Sequence, residues 1–227
     1  MLNGTAKKDI RTLGYVLKRT NYGEADRILN LITPQGKISA IAKGVRKEKS
    51  KLAGGIEMFT LADFNIHLGR GEFGVVTGVK MVKHYDEIVK DFGKIELAAM
   101  IIKRANKLAE GSDNPEYFRI VDQSLMTIDA GDSLWLVEAW SLLNFKKAMG
   151  EEINLYRDAS GIKLNAEDKY FWDEYEMAFF KNDQGEYGAN EIKLLRLMVS
   201  NDLNVVRRVN VELDMMERIL RLVRTVV

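Results

Sequence analysis

The run Lys43-Gly44-Val45-Arg46-Lys47-Glu48-Lys49-Ser50-Lys51 holds six charged side chains, five of them cationic, between two apolar stretches. Such a run is either a solvated loop or a set of phosphate contacts. Phosphate contact is the better reading. The run joins two strand candidates of a small barrel, where such folds place binding loops, and Arg19, Lys37 and Arg70 add charge to the same segment. Gly44 would let backbone approach a phosphate closely. Aromatic rings could complete the chemistry by stacking on bases. Phe59 and Phe64 lie among apolar strand residues and read as core, whereas Tyr22, beside Gly23 in a loop, is the stacking candidate.

Other chemistries fail on context. Gly69-Arg70-Gly71-Glu72-Phe73-Gly74 spells the dinucleotide fingerprint, but Val75, Val76, Val79, Met81 and Val82 continue as strand where the fingerprint needs a helix to open. No phosphate-cradling G-x-x-x-x-G-K-[ST] occurs, so ATP hydrolysis is not expected. The acidic pairs Glu151-Glu152, Glu167-Asp168 and Asp173-Glu174 are adjacent residues that point apart on a helix or strand, which argues against a two-metal nuclease centre. His67 and His84 fall in separate strand candidates with no nucleophile motif nearby. With no cysteine and two histidines, neither zinc nor a thiol nucleophile is expected. No catalytic residue, metal or cofactor is assigned.

Five strand candidates must position the basic run: Ile10 to Thr20, Arg27 to Thr33, Lys37 to Val45, Ile56 to Leu68 and Glu72 to Tyr85. Thr33-Pro34-Gln35-Gly36 and Gly69-Arg70-Gly71 supply tight turns. Five antiparallel strands in that length suit an OB-fold barrel, and an SH3-like barrel fits almost as well. After Tyr85 the period changes to the helical one. Ile95, Ala98, Ala99, Ile102 and Ala105 make one face of a first helix that Gly111 ends, and Asn114-Pro115 opens a second to about Asp129. A third, capped by Asp132 or Ser133, turns Leu134, Val137, Trp140, Ser141 and Phe145 inward. A stretch at about 153–189, rich in Gly, Asp and aromatics, reads as a loop-and-hairpin insertion, followed by helices Asn190 to Val199 and Val211 to Val227. The fold class is therefore α+β: a five-stranded domain over 1–85, then a helical domain over 86–227.

The net charge of +1 conceals an asymmetry. Residues 1–85 carry 15 Lys/Arg against 7 Asp/Glu, or +8, and residues 86–227 carry 19 against 26, or −7. The basic half implies a polyanionic partner. No apolar run long enough for a membrane span and no export signal are apparent, so a cytoplasmic location is expected.

Tyr22-Gly23-Glu24-x-Asp26-Arg27, then Ala42-Lys43-Gly44-x-Arg46-Lys47-x-Lys49-Ser50-Lys51-Leu52, then Gly69-Arg70-Gly71-Glu72 resemble, in order and spacing, the N-terminal signature of the RecO family. The resemblance covers about residues 10–85 and becomes architectural beyond them. It implies an OB-fold, binding of single- and double-stranded DNA, strand annealing, and loading of RecA on coated single strands. It also implies a RecR-like protein and single-strand-binding protein as partners. With Arg27 from the first motif, the expected DNA contacts are Arg19, Tyr22, Arg27, Lys37, Lys43, Arg46, Lys47, Lys49, Lys51 and Arg70. Many family members carry a four-cysteine zinc finger where this chain has none, so the corresponding stretch is expected to be a metal-free remnant held by aromatics. An RNA-binding OB protein and a metal-dependent nuclease are the alternative functions.

Overall fold

A computed structural model of the chain describes residues 8–50, 52–69 and 71–226. Two compact units divide it, Met1–Asp129 and Ala130–Val227.

In the first unit, alternating apolar residues build β1 (Lys8–Tyr22), β2 (Asp26–Thr33), β3 (Gly36–Ala42), β4 (Thr60–Leu68) and β5 (Gly74–His84). Their order, β1-β2-β3-β5-β4, returns to β1 through the long β1–β4 ladder. All pairings are antiparallel except β3 with β5, whose seam is only two parallel pairs, Ala40↔Gly74 and Ile41↔Val75. That parallel seam and the order make this five-stranded sheet an OB-fold, closed narrowly at one place. Val16, Leu29, Leu31, Ala40, Phe64, Ile66 and Val76 fill the interior.

The turn between β2 and β3 shows why its residues are Thr-Pro-Gln-Gly. Gly36 has φ 103°, the Thr33 hydroxyl donates to the Gly36 carbonyl at 2.8 Å, and a Cβ on Gly36 would stand 2.7 Å from Asp113 backbone. Only glycine fits.

The fourth strand begins later than its sequence suggests. Ile56 ends a 3-10 turn, Ala53–Ile56, and is fully buried in the barrel core; Gly55 lies so close to β5 that a Cβ would meet Val79 at 2.5 Å. Phe59 then takes a left-handed φ of 57°, which interrupts extended structure before Thr60. Ile56 thus enters the core from the 3-10 turn, four residues before the strand begins.

Two helices belong to this unit: α1 (Phe92–Leu108), capped by Asp91 accepting from the Lys94 amide at 2.9 Å, and α2 (Glu116–Asp129). The buried face of α1 is Leu97, Ala98, Ile101, Ile102 and Ala105, and Ala99 is exposed. The expected face is thus rotated: Leu97 and Ile101 take the interior in place of the half-buried Ile95 and the exposed Ala99, which buries more apolar surface. Packing of α1 on β1 and β2, and of α2 on β2, carries the folded unit beyond Tyr85.

In the second unit α3 (Leu134–Ala148) is central, packed by α4 (Ala189–Ser200) and α6 (Leu213–Thr225), with the short α5 (Leu203–Val206) between them. Trp140 is fully buried and its indole N–H donates to the Asn201 carbonyl at 2.9 Å. Sequence periodicity passes over α5, which is shorter than two turns. The insertion forms a hairpin, β6 (Tyr170–Asp173) with β7 (Ala178–Lys181). Phe179 is its centre, with Trp172, Tyr187 and Tyr170 ring centroids at 5.0, 5.8 and 6.2 Å in edge-on arrangements. Aromatic rings hold this hairpin together.

Candidate nucleic-acid interface

The basic run leaves the end of β3 and meets the β1–β2 turn. Gly23, with φ 54°, makes that turn, and Tyr22 stands beside it with 52% of its surface exposed. Three hydrogen bonds join loop to turn: the Gly44 amide to Asp26 Oδ1 at 2.6 Å, the Arg46 amide to the Ala25 carbonyl at 2.9 Å, and the Arg46 guanidinium to the Gly23 carbonyl at 3.4 Å. Val45 anchors the loop from below, buried in the barrel core. Lys43, Arg46, Lys47 and Lys49 are exposed, and among the described residues none has a carboxylate within 4 Å. Lys43 and Lys47, with Glu24, Ala25, Asp26 and Gly44, line a shallow open depression. Free cations on a pinned loop are what a phosphate chain needs.

The other expected contacts divide. Arg19 donates to Glu57 at 2.7 Å, and Arg27, half-buried on β2, donates to Asn21 at 3.3 Å. Lys37 departs from expectation. Its side chain is 5% exposed, donating to the Asn106 carbonyl at 2.8 Å and ion-paired with Glu110, so this ammonium fastens β3 to α1 and is not a surface cation. Gly44 also differs, since its amide is already taken by Asp26 and is not open to a phosphate. Lys51 and Arg70 lie outside the described residues. Val45 and Asp26 organise the loop without having been singled out for it. A lone apolar residue inside a charged run was the available signal for Val45.

The remaining chemistry is accounted for by structure. Gly74 opens β5, so no helix N-terminus follows the glycine-rich segment, and a Cβ at Gly74 would stand 2.7 Å from Ile66. Asp173 accepts from the amides of Tyr175 and Glu176 at 2.9 Å, Asp168 pairs with Lys181 at 2.9 Å, and Glu151 with Lys146 at 2.6 Å. His67 Nδ1 lies 2.7 Å from Asp9, and His84 Nδ1 lies 2.7 Å from the Thr60 hydroxyl. Among the described residues no three His, Cys, Asp or Glu are grouped to hold a metal ion.

Residues 8–85 match the family described as Recombination protein O N terminal, and residues 90–227 match Recombination protein O C terminal. The chain belongs to the RecO family. It is 27% identical over 223 residues to the DNA repair protein RecO of Dehalococcoides mccartyi, covering 95% of this chain and 88% of that protein. It is 30% identical over 151 residues to that of Roseiflexus sp. (strain RS-1), covering 66% and 53%, and 32% identical over 118 residues to that of Alkaliphilus metalliredigens, covering 51% and 48%. The RecO N-terminal match ends before α1, whereas the compact unit runs to Asp129, so the first two helices of the C-terminal match pack with the OB-fold.

Proposed function

We propose that this RecO-family chain is a non-enzymatic, DNA-binding recombination mediator. The observation that carries the reading is the group of four exposed cations, Lys43, Arg46, Lys47 and Lys49, without carboxylate partners among the described residues and beside the exposed ring of Tyr22. Cations on a loop reach backbone phosphates and carry no base code, which suits a protein that acts at any sequence. The Tyr22 ring offers a stacking surface for an unpaired base. Arg19, Arg27, Lys51 and Arg70 extend the proposed contact set. On this reading the protein binds single- and double-stranded DNA, anneals strands, and with a RecR-like protein and single-strand-binding protein helps load RecA on coated single strands. The relatives' name, DNA repair protein RecO, supports the same reading.

The test is titration of a labelled single-stranded oligonucleotide at several salt concentrations, with unlabelled DNA and RNA of matched sequence as competitors. Affinity that falls steeply with salt, DNA that competes at least as well as RNA, and faster annealing of complementary strands are expected. Preference for RNA, or magnesium-dependent cleavage of the probe, would replace this reading.

A further inference from the structure

We propose that Asp26 is a positioning residue for phosphate binding, holding Lys43 and Lys47 as the two sides of one seat for a backbone phosphate. The inference rests on the DNA-binding reading above and deepens it. On charge alone a carboxylate among these cations is a defect, because it repels the anion the loop would bind. Its geometry gives it another role. Asp26 opens β2 and accepts the Gly44 amide at 2.6 Å. Gly44 has φ 63°, a left-handed conformation that glycine adopts without strain, and its carbonyl accepts the Lys47 amide at 3.1 Å. The stem of Lys47 folds back over Gly44, its Cδ and Cε standing 3.7 and 3.8 Å from where a Cβ would be. Asp26, Gly44 and Lys47 are therefore linked in series, and Lys43 borders the same depression. Two bonds from Arg46 also tie the loop to the turn, but they hold a residue two positions on, whereas the Gly44 amide itself is held by Asp26.

The test compares three variants of the full chain on a labelled oligothymidylate. Asp26→Asn removes the charge and keeps an acceptor oxygen at the same reach; Asp26→Ala removes both; Asp26→Glu keeps the charge and displaces the oxygen by one methylene. Asn should bind about threefold tighter than the parent, from relief of repulsion. Ala should bind about tenfold weaker than Asn, the scale of leaving one backbone residue to be ordered on binding. Glu should bind weaker than the parent. If charge alone matters, Ala equals Asn and Glu equals the parent, and the inference is overturned. Exchange of the Gly44 amide proton supplies a second readout: protected in the parent and Asn, fast in Ala, and equal in all of them if Asp26 does not hold it. Should Ala fail to fold, the Asn and Glu variants decide by themselves. Salt-independent or absent binding by the parent would instead sink the DNA-binding reading, whatever the order of the variants.

Discussion

The Tyr15 hydroxyl of β1 donates to Asp122 Oδ1 of α2 at 2.6 Å and lies 2.9 Å from the Tyr85 hydroxyl. Tyr15 is 1% exposed and its ring centroid is 5.7 Å from that of Phe118, so a helix is fastened to the barrel by a buried polar contact with aromatic packing around it. Tyr15→Phe removes the donor and leaves the Asp122 carboxylate short of one partner. We expect a loss of about 1–3 kcal/mol in urea unfolding, the usual cost of an unmet buried hydrogen bond. An unchanged midpoint would mean that ring packing alone holds α2.

The same contact lies within the first compact unit, which runs to Asp129. A fragment of residues 1–129 is expected to unfold in one cooperative transition and to retain the loop-dependent DNA affinity. Residues 1–85 alone would expose the surface that α1 and α2 cover and lack the Asn106 and Glu110 partners of Lys37, so this shorter fragment should be much less stable. Equal melting temperatures for the two fragments would contradict this.

Burial pushes the hydroxyls of Tyr15 and Tyr187 up from the ordinary tyrosine value, that of Tyr187 to about 12. The folded chain thus holds these protons more tightly than the unfolded chain, whose tyrosines titrate near about 10. The sign follows: the associated stability is complete below about pH 10 and is lost as pH rises toward the folded values. Tyrosinate absorbance should show some tyrosines resisting ionisation between about pH 10 and 12 until the protein unfolds. Full titration near pH 10 of the folded protein is the contrary result.

Replacing Lys43, Lys47 and Lys49 together by Ala should weaken binding to unrelated single strands alike. The slope of log affinity against log salt should flatten by about 2, from three contacts at about 0.7 each. The fold should persist, because exposed lysines contribute little to stability. An unaltered slope in a folded variant would leave the loop merely solvated.

Phe179→Ala should remove the centre of the aromatic cluster in the second unit. A loss of about 3–5 kcal/mol is expected there, together with a changed near-ultraviolet dichroism signal, and on the proposed reading single-strand affinity stays within about twofold. A full-strength aromatic signal after this change would refute the ring-held hairpin.

Much of this was legible in the residues. Alternating apolar positions and the Thr33–Gly36 turn are local signals, since strand period and turn chemistry act within a few residues, and they gave five strands in the right order along the chain. The charged run likewise declared itself by composition, with its exposed lysines where a loop should place them. Tertiary contacts decided what local signals could not. Lys37 reads as one more cation, yet Asn106 on α1 and Glu110 just past its end make it an internal fastener. Asp26 stands in the sequence only as one residue of the N-terminal signature, and the fold is what brings the Gly44 amide to 2.6 Å from it. Ile56 reads as strand until the barrel needs its side chain inside. Periodicities, turns and the segregation of charge could be read from the residues because each depends on neighbours a few positions apart. Which charges stay free could not, because a charge is free or paired according to residues that folding brings beside it from far away along the chain.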